Sequence, residues 1–291
     1  MTVITSLSNP RIRMLQDLLT PRGRKQHGLF LMEGPHLLIA LLDAQIIPHE
    51  VYYQPELLSR TAEGQALLQR LLHTKAIATH SPIEVSTRVI EAIGETQTSQ
   101  GVVAVLPLSA FAAEAVRRRR PPRMRPALLI LDDLADPGNM GTTLRTALAT
   151  DVEAVLLTPR CVDCFNPKVV RAAAGAHVRL VIEKDLSWPE IALRVTAHCQ
   201  GAPRVLLAEA GSAHYYFTQD LTRPFALIIG NEAHGPSAEA RALATMSIAI
   251  PQANGVESLN AAIAASIILY EAVRQRLSAA QGEQQERDAA R

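Results

Sequence analysis

The sequence has no long hydrophobic run and few cysteines, and both shortages narrow the class of protein. No apolar stretch reaches the roughly 20 residues that a membrane-spanning helix needs. The first residues, MTVITSLSNPRIR, lack the charged-then-apolar order of a signal peptide. The chain has 3 cysteines, whereas a secreted protein would more often carry an even, paired set. The sequence therefore predicts a cytoplasmic protein without a membrane partner.

Several common enzyme signatures are absent as well. No GxGxxG follows the first strand of the C-terminal half, and the chain contains neither GxxxxGK[ST] nor GxSxG. A dinucleotide fingerprint, a phosphate loop and a nucleophile elbow are thereby excluded. Cys161 and Cys164 form a CxxC, but a structural zinc site needs four ligands, and only Cys199, His177 and His198 are available to complete it. We expect no bound metal and interpret the thiols as ordinary loop or core residues.

The chain is long enough for two packed domains, and its charge is unevenly divided between them. It has 291 residues, of which 48% are hydrophobic, and a net charge of +1. Residues 1–125 carry 15 basic and 10 acidic side chains, whereas residues 126–291 carry 14 and 18. The N-terminal half is thus the candidate for an anionic partner. Between the halves lies RRRRPPRMRP, Arg117 to Pro126, whose prolines predict an extended linker.

Beyond this linker, apolar strands alternate with helical segments. Near-continuous apolar strands between helices indicate a parallel α/β sheet covered on both faces. Ligands of such sheets bind beyond the carboxyl ends of the strands. The predicted strands are ALLILDD (127–133), EAVLLT (153–158), VRLVI (178–182), RVLLAEA (204–210), FALII (225–229) and SIAI (247–250).

Three of these strands end in polar segments. LADPGNMGTTLRTA follows the first strand, GNEAHGP the fifth and PQANGVESLNAAIAA the sixth. In the last segment we predict Ser258 as a helix cap and Asn260 in the first helical turn. One helix face is then marked by Leu259, Ile263, Ser266, Tyr270 and Val273. Any one segment alone favours an ordinary turn, but the three together predict one polar ligand site.

These segments also carry a family resemblance. DPGNMGTTLRTA, LIIGNEAHGP and IPQANGVESLNAAIAA, in this order and at this spacing, closely resemble the three signature motifs of the SpoU-type (TrmH) RNA 2′-O-ribose methyltransferases of the SPOUT class. The stretch from Asn166 to Ile182 is similar too. In the first half, SLSNPRIRMLQDL, GLFLMEGPHLL and TQTSQGVVAVL are similar to the RNA-binding substrate domain fused to these enzymes.

The resemblance implies an α/β fold with two domains. A small α/β substrate-binding domain, resembling a ribosomal RNA-binding protein fold, is expected over 1–108. A basic Arg/Pro-rich linker is expected over 109–126, and a polar tail over 279–291. Residues 127–278 are expected to form the parallel-sheet catalytic domain, with a deep trefoil knot. The implied cofactor is S-adenosylmethionine, and the implied partners are RNA, ribosomal RNA before tRNA, and a second copy of the chain that docks through the knot region.

The resemblance also implies roles for individual residues. Gly230 would let the backbone approach the cofactor closely, since a Cβ would intrude there. A guanidinium stays protonated in proteins, so we interpret Arg145 as a clamp on an RNA phosphate rather than as a base, with a helix-surface ion pair as the alternative. The implied catalytic set is Arg145, Asn139, Glu232, Ser258 and Asn260, and the implied cofactor-binding set is Gly230, Asn231, Ile250 and Leu259.

Basic residues near the N-terminus supply candidates for RNA contact. Arg11, Arg22, Arg24 and Lys25 are predicted to bind RNA phosphates, with a solvated basic face as the alternative. A second function stays open at this point, namely a catalytically silent RNA-binding or ribosome-assembly protein on the same scaffold. The complete implied catalytic set favours the enzyme, because a binding protein could have lost any of its members.

Overall fold

The computed structural model of the protein describes residues 3–73, 78–95, 98–121 and 126–289, with side chains as far as residue 282. The N-terminal elements are α1 (Pro10–Asp17), α2 (Pro21–His27), β1 (Leu29–Glu33), α3 (Pro35–Asp43), β2 (Glu50–Tyr53), α4 (Pro55–Leu58), α5 (Ala62–His73), β3 (Ile83–Glu84), α6 (Thr87–Ile93), β4 (Val102–Pro107) and α7 (Ala113–Arg119). The C-terminal elements are β5 (Ala127–Leu131), α8 (Pro137–Ala149), β6 (Ala154–Leu157), α9 (Pro167–Ala172), β7 (Ile182–Glu183), α10 (Trp188–His198), β8 (Val205–Ala208), β9 (Phe225–Ile229), α11 (Ala238–Leu243), β10 (Met246–Ile248) and α12 (Ala261–Ala289).

The chain divides into two compact units, and each unit consists of two separate segments of the sequence. The first consists of Met1–Arg119 and Asp163–Arg179, and the second of Arg120–Val162 and Leu180–Arg291. The N-terminal unit therefore includes α9 and the residues around it, although the first motif precedes this segment in the sequence. None of the described helices has the length and apolarity needed to span a bilayer.

The N-terminal unit is built on a four-stranded mixed sheet in the order β1-β4-β2-β3. Strand β4 is antiparallel to both of its neighbours, and β2 is parallel to β3. Apolar residues of α1 and α6 pack with one face of this sheet; they include Ile12, Leu15, Val89 and Ile90. Burial of this face removes apolar side chains from water and supplies the main stabilising free energy of the unit.

Residues of the 163–179 segment complete the core of the same unit. The ring of Phe165 lies 4.8 Å from that of Phe30 in β1 and 6.5 Å from that of Phe111, measured between centroids. Such tilted and edge-to-face pairs add to the free energy gained from burial alone. The N-terminal unit thus depends on a part of the chain that lies after the first motif.

The basic segment between the halves differs from its prediction. An extended chain from Arg117 is wrong for the first residues of that segment, because Arg117, Arg118 and Arg119 form the last turn of α7. Val116 anchors this helix by its complete burial. The helix ends before Pro121, as expected for a residue that disfavours helical backbone on its N-terminal side. The rest of the predicted linker includes residues 122–125, which lie outside the described residues.

The C-terminal unit is a six-stranded sheet in the order β10-β8-β9-β5-β6-β7, and every pairing is parallel. This confirms the predicted parallel α/β sheet. Strands β5, β6 and β9 are buried along their whole length, because helices cover both faces. The predicted strand VRLVI is wrong over most of its length: a 3₁₀ turn occupies Ala176–Val178, and β7 contains only Ile182–Glu183.

Helix α12 buries a different face from the predicted one. Its buried residues are Ala261, Ala262, Ala265, Ile268, Leu269 and Ala272, whereas Ile263 and Tyr270 of the predicted face are about half exposed. Ser266 is half-buried, and its hydroxyl lies 2.9 Å from that of Thr146 in α8. The alanine-rich face permits close packing of α12 on the unit, while Ile263 and Tyr270 keep about half of their surface in contact with water.

Candidate active site

The order of the six-stranded sheet reverses between β5 and β9. From β5 the chain proceeds to β6 and β7 on one side, while β9, β8 and β10 lie on the other. Ligands of parallel α/β sheets bind beyond the carboxyl ends of the strands at such a point. The first two polar segments therefore leave the sheet from neighbouring strands, where the backbone N–H of Asp132 donates to the carbonyl of Ile229 at 2.9 Å.

A chain of polar side chains joins all three motif segments. Asn139 lies in the first turn of α8, where the Asp136 carboxylate caps the helix by accepting from the Asn139 N–H at 2.7 Å. The Asn139 side chain donates to Glu232 Oε1 at 2.8 Å and accepts from Asn260 Nδ2 at 2.8 Å. Both ends of one amide are thus occupied, so the orientation of Asn139 is fixed between the second and third segments.

The third segment caps α12 with a different residue from the predicted one. Asn260, not Ser258, precedes the helix, and its Oδ1 accepts from the backbone N–H groups of Ala262 and Ile263. Asparagine is among the preferred N-cap residues because its side-chain oxygen satisfies an otherwise unpaired N–H. Asn260 therefore holds the helix end with its oxygen and Asn139 with its nitrogen, while Ser258 lies exposed in the preceding loop.

Gly230 is required by its own loop. A Cβ added at Gly230 would lie 2.6 Å from the nitrogen and 2.8 Å from the Cα of Pro236, far inside van der Waals contact. The backbone of the second segment turns back on itself there, so that Gly230 and Pro236 touch. Close approach of the chain to itself is thus one reason for this glycine, and close approach to the cofactor stays a prediction.

Two aspartates after β5 hold this loop in place. Asp132 is 1% exposed, and its Oδ2 accepts from the backbone N–H of Ser237 at 2.7 Å. The carbonyl of Asp133 accepts from Asn231 Nδ2 at 2.7 Å, and Asn231 Oδ1 in turn accepts from the N–H groups of Ala233 and His234. Burial raises the pKa of Asp132, and the hydrogen bond from Ser237 partly opposes this rise. Both ends of the loop are therefore tied to the end of the central strand.

A cavity of about 370 Å³ lies beside this network. Its apolar wall includes Ile229, Ile248, Ile250, Leu259 and Ile268, and its polar rim includes Glu209, Glu232 and Glu257. All four predicted cofactor-binding residues, Gly230, Asn231, Ile250 and Leu259, line it, as do Glu232 and Ser258. The combination of an apolar wall and a few polar groups is typical of small-molecule sites.

Arg145 stands apart from the cavity. It is exposed on α8, six residues after Asn139, and does not line the cavity. Among the residues that the structure describes, none forms a hydrogen bond or ion pair with its guanidinium. The helix-surface ion pair considered as an alternative role is therefore not formed within the described part of the chain.

Several residues at this site are not among the predicted ones. The predicted first strand includes Asp132, although a carboxylate directly after a buried strand is a usable signal of a site. Glu209 pairs with Arg241 across the cavity rim, and its other carboxylate oxygen accepts from the Ser247 hydroxyl at 3.0 Å. No pattern in the sequence points to this contact, because Glu209, Arg241 and Ser247 lie in three separate parts of the chain.

The basic residues predicted to bind RNA separate into two groups. Arg11, Arg22 and Lys25 are exposed, as an RNA contact requires. Arg24 is 2% exposed: its Nε and Nη2 donate to Asp163 Oδ2 at 2.8 and 2.6 Å, and its Nη1 donates to the carbonyl of Leu18 at 2.8 Å. The RNA-binding assignment of Arg24 is therefore wrong, because its guanidinium is enclosed and already occupied.

The residues considered for a zinc site have ordinary contacts. The Cys161 thiol donates to the carbonyl of Leu131, and burial raises the pKa of this thiol. Cys164 is buried, and its carbonyl accepts from His177 Nε2 at 2.7 Å. Burial lowers the pKa of His177 to about 4, so the imidazole is neutral at pH 7. These contacts agree with the interpretation of the cysteines as loop and core residues.

Comparisons with known proteins show which family this chain resembles. A model of the SpoU rRNA Methylase family matches residues 126–270, and a model of the MRM3-like substrate binding domain matches residues 9–104. An uncharacterized tRNA/rRNA methyltransferase of Synechocystis sp. is 39% identical over 281 residues, which are 95% of this chain and 95% of that protein. The Bacillus subtilis protein RlmP, named as a 23S rRNA guanosine 2′-O-methyltransferase, is 27% identical and covers 93% of this chain and 98% of its own.

A solved structure has the same architecture. The SpoU methyltransferase AviRb from Streptomyces viridochromogenes, in complex with S-adenosylmethionine, is similar with a TM-score of 0.77 and 27% identity, covering 93% of this chain and 99% of that one. Fold, motifs and relatives together define an α/β RNA methyltransferase with a separate substrate-binding domain. The chain belongs to the SpoU rRNA methylase family.

Proposed function

We propose that this enzyme transfers a methyl group from S-adenosylmethionine to a ribose 2′-hydroxyl in structured RNA, and that its substrate is ribosomal RNA rather than tRNA. The observation that carries the proposal is the hydrogen-bonded chain from Asn260 through Asn139 to Glu232, which joins all three motif segments beside the cavity. The name of the Bacillus relative supports a ribosomal target. The AviRb complex supports the cofactor, and no relative named above supports a catalytically silent protein.

The cavity fits S-adenosylmethionine in size and chemistry. Its volume of about 370 Å³ lies in the range of small-molecule sites. Ile248, Ile250 and Leu259 offer an apolar surface for an adenine ring, and exposed carboxylates of Glu232 and Glu257 favour a cation at the rim. When bound, the cofactor supplies a methyl group on a positively charged sulfonium with a good leaving group. The protein must therefore mainly bind, align and assist loss of the hydroxyl proton.

We assign these tasks to the residues of the polar chain and to Arg145. Asn139, held on both sides, keeps Glu232 and Asn260 at fixed positions, and such rigidity lowers the entropic cost of aligning reactants. Ser258 at the cavity edge shapes the site. Arg145, exposed and unpaired in the described part of the chain, is free to bind an RNA phosphate in a bidentate manner. The phosphate or water then takes the proton.

A homodimer would bring Arg145 to a cavity of the second subunit. Along α12, Ile263, Tyr270 and Leu277 recur every seven residues and are 49%, 52% and 60% exposed. Residues at this spacing form one stripe along a helix, and exposed apolar stripes mark interfaces. Ser266 ties this helix to the residue next to Arg145 through the Thr146 hydroxyl. A twofold interface on the stripe would bury the same residues of each subunit.

The remaining expectations complete the proposal. Arg11, Arg22 and Lys25 would bind RNA phosphates from the N-terminal unit. We expect a cytoplasmic enzyme, an expectation supported by the name of the bacterial relative RlmP. The trefoil knot implied by the family motifs would involve the chain before α12, which includes the cavity residues Ile250, Ser258 and Leu259.

The test is methyl transfer to ribosomal RNA. RNA from cells that lack the gene is incubated with the protein and tritiated S-adenosylmethionine, and 2′-O-methylated nucleotides are then mapped by their resistance to alkaline cleavage. We expect incorporation at one or a few sites, and its loss in Asn139→Ala. If the folded protein binds this RNA and the cofactor but transfers no methyl group to rRNA or tRNA, the silent RNA-binding protein replaces the enzyme.

A mixed dimer tests the position of Arg145. Arg145→Ala lacks the clamp and Gly230→Trp lacks the cavity, so each variant is expected to be inactive alone. Co-expression should restore part of the activity, because some sites then combine an intact Arg145 with an intact cavity. If mixed dimers form without restoring activity, Arg145 serves the cofactor of its own subunit.

A further inference from the structure

Three metal-ligating side chains cluster at one edge of the four-stranded sheet, in the N-terminal unit. His49, Glu50 and His80 each offer one ligand atom, and these atoms lie within 4.8 Å of one another. The rings of His49 and His80 meet edge to face with centroids 5.2 Å apart. Methyl transfer uses none of these residues. The sequence predicts no bound metal, on an argument from the cysteines that does not consider these three residues.

Glu50 is the buried member of this cluster. It is 8% exposed, and its Oε2 accepts from the Tyr52 hydroxyl at 2.6 Å. Among the described residues no basic side chain forms an ion pair with Glu50. A buried carboxylate costs free energy unless it is paired or coordinates a metal, and the tyrosine leaves Oε1 available.

The two histidines are held in a manner that suits metal binding. His80 Nδ1 lies 3.2 Å from the carbonyl of His49, and donation there leaves the Nε2 lone pair for a ligand. A hydrogen bond from the ring nitrogen that does not bind the metal is the usual support of a metal-binding imidazole. The backbone of His49 donates to Val105 in β4 at 2.9 Å, and Thr79 donates to Pro48 at 2.9 Å. Both histidines therefore lie on backbone that hydrogen bonds hold in place.

We infer that His49, Glu50 and His80 bind one divalent transition metal ion, with zinc as the best match. Two imidazoles and one carboxylate are a known zinc ligand set that leaves a fourth position for water or another ligand, whereas calcium and magnesium prefer oxygen ligands. Tetrahedral zinc needs ligand atoms about 3.4 Å apart at its usual bond lengths. The widest pair permitted by the 4.8 Å limit must therefore approach by about 1.4 Å. His80 is exposed, which leaves its ring room to rotate toward the other two ligands. The ion would link β2 to the chain entering β3.

The test is zinc binding to the tag-free full-length protein. Calorimetry with zinc chloride should show one saturable site per chain, and cobalt chloride should give the visible absorption of a site with nitrogen ligands. His80→Ala should weaken zinc binding by about tenfold or more. Acidification should release the ion, because protons compete with the metal for the ligand atoms.

His36→Ala is the matched control. His36 also faces a carboxylate, with Nδ1 3.2 Å from Glu63 Oε1, but it lies on the surface outside the cluster. This variant should bind zinc like the wild type. His49→Ala and Glu50→Gln remove the other two ligands, and circular dichroism checks that these variants fold. If either one misfolds, the result for the exposed His80 decides between the outcomes. No saturable zinc site, or wild-type binding by His80→Ala, overturns the inference, and so does an equal loss in His36→Ala.

Discussion

The enclosed ion pair of Arg24 and Asp163 leads to a quantitative prediction about the N-terminal unit. Arg24→Ala removes three hydrogen bonds, two to the carboxylate and one to the Leu18 carbonyl. Breaking a buried pair by deleting one partner costs about 3–5 kcal/mol, because the other charge stays behind unpaired. Asp163 keeps 26% of its side-chain surface in contact with water, which hydrates part of its charge. We therefore expect a loss of about 3 kcal/mol, at the lower end of this range.

The assay is urea unfolding of the full-length protein, followed through the transition of the N-terminal unit. Arg22→Ala is the control, since its exposed side chain is two residues away, and a change within about 0.5 kcal/mol is expected for it. RNA binding, unlike stability, should depend on the exposed residues and not on Arg24. Neutralising Arg22 and Lys25 should flatten the salt dependence of RNA affinity, whereas Arg24→Ala should leave the slope unchanged in folded protein.

One result would refute this reasoning. If Arg24→Ala alters the free energy of unfolding by less than about 1 kcal/mol and also flattens the salt slope, Arg24 contacts RNA directly. The enclosed geometry would then not represent the protein in solution. A large loss of stability with an unchanged slope would instead establish Arg24 as a structural residue of the N-terminal unit.

Three further predictions concern the loop and the buried groups. Asp132→Ala removes the acceptor of the Ser237 N–H and should weaken S-adenosylmethionine binding by about tenfold, the equivalent of one lost hydrogen bond. Unchanged affinity in calorimetry would exclude a positioning role for Asp132. Gly230→Ala places a Cβ 2.6 Å from Pro236 and should displace the loop and abolish cofactor binding. Gly282→Ala is the control, since nothing lies near its Cβ, and it should bind the cofactor normally. Full binding by Gly230→Ala would mean that the loop moves aside without cost. His177 has a pKa of about 4 when folded and about 6.5 when unfolded, so the unfolded state alone takes up this proton as the pH falls from about 6.5 to 4. The free energy of unfolding should therefore drop by about 3 kcal/mol across that window, and urea unfolding of His177→Gln at the same pH values should lack this part of the slope; an equal slope in the variant would assign the acid sensitivity to other groups.

Local sequence patterns predicted much of the catalytic unit. Strand β9 lies where the apolar run placed it, and the central strands agree to within a few residues. All four predicted cofactor-binding residues line one cavity. The strand predictions succeed because buried parallel strands have a characteristic continuous hydrophobic pattern. The polar segments share one cavity because the carboxyl ends of parallel strands lie on the same side of a sheet, and their cofactor-binding role stays a prediction.

The sequence by itself thus determined the class of sheet, the order of its strands along the chain and the three polar segments. The tertiary structure alone decided which of several similar residues does what. Arg22, Arg24 and Lys25 are alike in sequence, but only Arg24 meets Asp163, which is 139 positions away. Asn260 and Ser258 are both residue types that cap helices well. Asn260 is the cap, and its side-chain nitrogen also donates a hydrogen bond to Asn139. Gly230 depends on Pro236, and the adjacent His49 and Glu50 gained His80 as a neighbour only when β2 met the chain before β3. Each of these outcomes depends on contacts between distant residues, and local patterning carries no information about which distant groups will meet.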